Sequence, residues 1–148
     1  MSGVAVIRSL IATNSAVLAA LGAGPPIASS RVVAGDLPLN TVLPAISVME
    51  ISSNPRNTVA MNGSNVLHTE RVQVSVLFKG RQGTPSGTGL PGVKGVLALL
   101  LAAVPHTHGM VNGFDVLSIL PDQEGPDLQD VATSLYSGSR DFIVKYKA

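Results

Sequence analysis

The sequence predicts an α+β fold: a mostly antiparallel β-sheet with two main helices packed on one face. Three observations predict it. In Thr69–Phe78, Val72, Val74, Val76 and Phe78 alternate with Arg71, Gln73 and Ser75. Strand side chains point to opposite faces at every second residue, so one face is apolar and the other wet. Two stretches, Val4–Leu21 and Val93–Val104, instead carry apolar residues at helical spacing and need such a face to cover. Finally, the strands come in runs and do not alternate strictly with helices, which favours α+β and antiparallel pairing.

The elements follow in order. Val4, Ile7, Leu10, Ile11, Val17, Leu18 and Leu21 recur at steps of three and four with a gap at Asn14. This predicts one amphipathic helix, or two short ones with Asn14 or Ser15 capping the second. Gly22, Gly24 and Pro25-Pro26 end it. Arg31-Val32-Val33 reads as a short strand, Asp36–Leu43 as loop, and Ala45–Ser52 as a strand whose Glu50 implies an incompletely buried face. Residues 53–68 are polar, and Asn62-Gly63 is a turn signal, so this segment reads as an extended loop or protruding hairpin. Connections of that length usually serve contact or function, which makes Arg56, Asn57, Asn62 and Asn65 candidate partner contacts. Residues 80–92 read as a second extended loop, rich in Gly, Pro, Ser and Thr. The helix over Val93–Val104 stops before Pro105. Val111–Leu120 reads as a strand, Pro121–Asp130 as an acidic loop, Val131–Tyr136 is ambiguous, and Ser139–Lys147 is a closing strand with Phe142, Val144 and Tyr146 on one face.

At 148 residues the chain is expected to form a single domain, 1–148. Aromatics are only 3% and Trp is absent, so the core is aliphatic. Charged residues are 13%, about half of the ~25% usual in soluble domains. So lightly charged a surface points to cover by other protein. A net charge of +1 lacks the basic footprint of a nucleic-acid binder. The absence of cysteine removes thiolate catalysis and cysteine-based zinc sites. No run reaches the ~18 apolar residues of a membrane span. Arg8, an uncharged start and the break at Asn14-Ser15 argue against a secretory signal.

No motif assembles chemistry, and no catalytic, cofactor or metal residue is expected. Gly87-Thr-Gly89-Leu-Pro-Gly92 is a literal G-x-G-x-x-G, but Lys79–Ser86 separate it from its strand, whereas a dinucleotide fingerprint turns directly off the strand. Gly92-Val93-Lys94-Gly95 misplaces the lysine of a Walker loop and lacks its Ser or Thr. His106 and His108 supply two metal ligands where zinc needs a third protein ligand. Asp122, Glu124, Asp127 and Asp130 cluster in nine residues without the spacing of an EF-hand. They read as a solvated loop or an interface, and Gly125-Pro126 argue against the burial that acid–base catalysis needs. No serine lies in a G-x-S-x-G elbow.

Taken together, Ala16-Val-Leu-Ala-Ala-Leu-Gly22, Arg31-Val-Val, Gly35-Asp-Leu-Pro38, Leu43-Pro-Ala-Ile-Ser-Val48, Arg71-Val-Gln-Val-Ser-Val76 and Arg140-Asp-Phe-Ile-Val-Lys-Tyr146 resemble the tail-terminator (tail-completion) proteins of long-tailed bacteriophages. The likeness spans nearly the whole chain; the segments 53–68 and 80–92 depart from it. It implies a small α+β virion subunit, made in the host cytoplasm, that forms a homo-oligomeric ring of six. The ring would sit at the head-proximal end of the tail, cap the tail tube protein and offer a face to the head–tail connector or stopper protein. DNA would pass through without specific binding. Since each phosphate paired with Lys or Arg adds salt-sensitive affinity, such a lumen should be acidic or neutral, and Asp122, Glu124, Asp127 and Asp130 are the candidate lining. The alternatives are another neck or head-completion protein, a small nucleotide- or metal-binding enzyme, and a monomeric binding module.

Overall fold

The computed structural model describes residues 2–21, 32–36, 44–57, 66–79, 89–104, 109–130 and 135–147. Its centre is the predicted alternating strand, here β3 (Val66–Lys79), flanked by β2 (Ala45–Asn57) and β7 (Leu135–Lys147). Both neighbours run antiparallel to β3 over almost its full length. Val72, Val74, Val76 and Phe78 are buried, as are Phe142, Val144 and Tyr146 beside them. Side chains of this size contribute roughly 1.5–3 kcal/mol each when fully buried. Among the described residues the sheet has seven strands, in the order β1 (Val32–Ala34), β2, β3, β7, β5 (Phe114–Glu124) and β4 (Gly109–Val111), with β6 (Leu128–Asp130) also on β7. Only β1 (Val32–Ala34) pairs in parallel, with Ile46–Val48 of β2. The fold is α+β.

The helices cover one face. Helix α1 (Ser2–Ala12) lies across β1, β2 and β3 and reaches β7. Arg8 Nε donates to the Val32 carbonyl at 2.8 Å and ties α1 to β1. Helix α2 (Ser15–Ala20) bridges to α3 (Gly89–Ala103). Of the alternatives the sequence left open, two short helices with Asn14 as the cap is the one observed: Asn14 has extended backbone, and its Oδ1 accepts from Val17 N at 3.0 Å. That bond satisfies a donor the first helical turn leaves open.

Helix α3 (Gly89–Ala103) sits on β3 and β7. It begins four residues before the expected start, so Gly89 and Gly92 belong to the helix and not to a loop; Pro91 falls in the first turn, where a missing N–H costs nothing. Gly138 of β7 is the seat for this helix. A Cβ there would stand 2.8 Å from Val93 Cγ1 and 3.0 Å from Leu97 Cδ1. Gly138→Ala is therefore expected to destabilise by about 1–3 kcal/mol through overpacking, although alanine suits a strand interior better than glycine. Urea unfolding reads this directly; a neutral or stabilising result would mean that α3 is not seated on β7.

Other boundaries differ from the sequence reading as well. Strand β2 runs five residues past Ser52, to Asn57, paired with β3 up to Val66, so residues 53–57 and 66–68 are strand and not loop. The expected strand from Val111 is two strands, β4 (Gly109–Val111) and β5 (Phe114–Glu124). They turn at Asn112 (φ 49°) and Gly113 (φ 82°), the positive-φ pair that two-residue hairpins favour. Lastly, the acidic segment is not a loop. β5 pairs with β7 as far as Glu124–Arg140, and β6 (Leu128–Asp130) resumes the same edge at Ser137–Leu135. Residues 125–127 are a short excursion, pinned by Gly125 N donating to the Ser139 carbonyl at 2.8 Å.

Candidate assembly surfaces

The four acidic residues are split between the two faces of the sheet by a register shift. Pro121 pairs with Phe142, on the helix-covered face, and the ladder then slips so that Glu124 pairs with Arg140 on that same face. Asp122 consequently points to the uncovered face. There Arg71 Nη2 meets Asp122 Oδ2 at 2.6 Å while its Nε donates to Asp141 Oδ2 at 2.9 Å. Glu124 and Asp127 converge instead on Lys94 of α3, at 3.5 Å and 2.7 Å, and Glu124 also lies 3.8 Å from Arg140 Nη2. Asp130 ends β6 and is exposed. The strip is therefore acidic in sequence but charge-paired in space.

The hydrogen bond to Asp127 holds the Lys94 ammonium above its usual pKa range; partial desolvation opposes this, and the fields of Asp127 and Glu124 reinforce it. A raised lysine pKa stabilises the fold below its unfolded value. The α3–β5 tie is thus complete at neutral pH and lost only as pH climbs through the raised value. The pairs on Lys94 are surface pairs, of small individual worth. Arg71 differs, because Asp141 is buried and would lose the donor that its Oδ2 accepts from. Arg71→Ala is expected to cost about 2–3 kcal/mol, and Asp122→Asn under about 1 kcal/mol, both read by denaturant unfolding. Equal costs would show that the Asp141 bond is not the dominant one.

Of the other candidate residues, Arg56 and Asn57 lie on the last turn-ward residues of β2, while Asn62 and Asn65 lie outside the described residues. Gly87, His106 and His108 also lie outside them. His68 stacks on Tyr146 with ring centroids 5.0 Å apart. Among the described residues no three potential metal ligands come together, and no helix is long and apolar enough to cross a membrane. A groove of about 310 Å³ between α1 and β2 is lined by Val4, Gly35, Val48, Met49, Glu50 and Ile51, apolar but for the single carboxylate of Glu50.

The sequence reading passed over the cations that organise the strip: Arg71, Lys94 and Arg140. It also passed over Glu70, which accepts from Gly3 N and from Tyr146 Oη, each at 2.6 Å, and is buried. Its signal was present. Glu70 is in phase with Val72 and Val74, so alternation places an acid on the apolar face.

This architecture has likenesses among solved structures. It aligns with a chain of the virion of a native gene transfer agent particle, with TM-score 0.62 and 9% identity, over 98% of this chain and 94% of that one. The two chains share a fold. At such identity the likeness carries architecture and not residue roles. No family model matches the sequence, and no curated protein matches it.

Proposed function

We propose that this chain is a structural virion subunit of the tail-terminator kind, without catalytic activity. Copies close head-to-tail into a ring, expected to hold six, which caps the tail tube and docks on the head connector. The observation that carries this reading is the end-to-end likeness to a virion chain, with neither partner leaving a large domain unmatched. The low charge content supports it, as do the exposed apolar side chains Met49, Ile51, Met110, Leu117, Leu120 and Leu128. Rings need heterologous contacts that close on themselves, each burying on the order of 1,200–2,000 Å² if stable. Native mass spectrometry of the purified chain tests the reading: the expected mass is six times the 15.2 kDa subunit. A species that stays at subunit mass at all concentrations would refute it. Electron microscopy with purified tubes then separates a tube cap from another neck position.

Within that ring, the strip Asp122, Glu124, Asp127 and Asp130 faces the lumen, and the β2–β3 hairpin tip contacts tube or connector. The ion pairs decide how the first point is tested. Reversing the acids to lysine would place like charges against Arg71 and Lys94 and disturb the fold. Neutralising them as Asp122→Asn, Glu124→Gln and Asp127→Asn exposes the cations instead. DNA release through the ring should slow and recover with added salt, as phosphate contacts do. Release unchanged by the triple substitution would place the strip elsewhere. Rings lacking residues 58–65 should form but fail to bind tubes; normal capping would sink the hairpin assignment.

A further inference from the structure

Helix α3 has an outer face that its own subunit leaves bare. From Gly95 to Val104 the sequence holds no polar side chain. One side of the helix is buried through Val93, Val96, Leu97 and Leu100. On the other side Lys94, Gly95, Ala98, Leu101 and Ala102 are exposed, Leu101 at 43%. At 3.6 residues per turn those five fall within an arc of about 120°, centred near Ala98. A surface helix ordinarily carries polar and charged residues on such an arc. Here the one charge, Lys94, stands at the N-terminal end. Helix α2, packed against α3, continues the bare surface with exposed Ala16, Ala19 and Ala20.

Gly95 points the same way independently. A glycine inside a helix weakens it relative to alanine, and the usual reason for one is close packing. Gly138 has that reason within the subunit, under Val93 and Leu97. Gly95 does not: a Cβ there would meet nothing within 4 Å. The close approach it permits lies outside the subunit.

The pattern of the face selects its occupant. Beyond Lys94 it offers no hydrogen-bonding side chain, so it takes an apolar surface. Gly95 and Ala102 stand seven residues apart with Ala98 between them. A second α3 laid antiparallel about a two-fold axis at Ala98 sets Gly95 against Ala102 of the second copy and Ala98 against its own counterpart. Leu101 then lies along the methylene stem of Lys94 of the second copy, while Asp127 keeps each ammonium at 2.7 Å. The face is thus complementary to itself. Charge selects the direction. Antiparallel helices oppose their macrodipoles and hold the two Lys94 side chains at opposite ends, whereas a parallel pair sets like ends and like charges side by side.

We infer that the outer face of α3 pairs with the same face of a second copy of this chain, antiparallel, about a two-fold axis at Ala98. The contact is isologous, unlike the heterologous contacts that close a ring, so it goes beyond the ring reading and does not depend on it. Two short helices per copy bury less than the roughly 1,200 Å² at which standard interfaces begin, and pairing is therefore expected only at high subunit concentration.

The chain has no cysteine, so introduced thiols report alone. Ala98→Cys, oxidised at high subunit concentration and read by non-reducing electrophoresis, should give dimers and nothing larger, since its two thiols meet at the axis within disulfide reach. Ala102→Cys should stay unlinked, because its two copies stand about 12 Å apart along the helices. A mixture of Gly95→Cys and Ala102→Cys should give the mixed dimer. An unlinked Ala98→Cys overturns the inference, and so does an Ala102→Cys that links as fast as Ala98→Cys. Gly95→Leu supplies an arm without thiols. Leucine is the better helix former, so this variant should melt no lower than the parent at low concentration, yet lose the pairing. By native mass spectrometry the parent should double as concentration rises, from one subunit to two, or from six to twelve where the ring reading holds. The starting mass therefore judges the ring and the doubling judges this contact. A parent that never doubles, or a Gly95→Leu that still does, overturns the contact whatever the starting mass.

Discussion

Replacing Glu70 with alanine is expected to cost about 3–5 kcal/mol, since it strands buried donors that the carboxylate satisfies. Its two oxygens take the Gly3 N–H at the start of α1 and the Tyr146 hydroxyl at the end of β7. One side chain in the middle of the hairpin thus fastens the first helix to the last strand. An acidic group at a helix N-terminus also complements the partial positive charge there. The site is built tightly. A Cβ on Gly3 would collide with the Glu70 carboxylate, which makes glycine a requirement of close approach. Tyr146 is held in turn by stacking on His68 and by an edge contact with Phe114, 5.7 Å between centroids. Glu70→Gln keeps the shape and one acceptor and should cost about 1–2 kcal/mol; Tyr146→Phe should cost about 1 kcal/mol. In a chain of this length 1 kcal/mol moves Tm by roughly 2–4 °C, so Glu70→Ala should melt on the order of 10 °C early. Hydrogen exchange should show α1 amides losing protection first. If Glu70→Ala melts like Glu70→Gln, the carboxylate is not the fastening.

What was legible in the sequence follows from how local each signal is. The β3 and β7 alternation and the Asn14 cap depend on neighbours within a turn or a strand, and they were readable. The extension of β2 through Pro55 was not, because polar Ser53, Asn54 and Arg56 are held in the sheet only by pairing with a distant strand. The acidic segment failed for the same reason. Gly125-Pro126 and four acids look like a loop, yet thirteen-residue β7 offers an edge, and edge strands commonly carry charge and proline. The cations that pair with the strip come from β3, α3 and β7, far apart in the chain, so no spacing rule finds them. Asn112-Gly113 was different: a local turn signal lay inside a segment read as one strand, and the apolar run around it hid the turn.

Phe142→Ala and Ile143→Ala, adjacent on β7, should separate folding from assembly. Phe142 is completely buried under the helices, between Val72 and Pro121 in the ladder. Truncating it should cost about 3–5 kcal/mol, the lost transfer energy plus a cavity that neighbouring strands cannot close. Ile143 faces the other way, level with Arg71 and Leu120, on the face no helix covers. In the isolated subunit its truncation should cost only about 1 kcal/mol, because a half-exposed side chain has less transfer energy to lose. The two effects diverge in the oligomer. Phe142→Ala should lower Tm while the surviving folded subunits associate normally, since the substitution leaves the open face unchanged. Ile143→Ala should barely move Tm, and any weakening of association it brings marks cover of that open face by a neighbouring copy. Calorimetry of each variant at two concentrations, one either side of the association midpoint, measures both terms. Equal Tm losses for the two variants would contradict the one-sided core, because a sheet covered on a single face must respond with the period of its side chains.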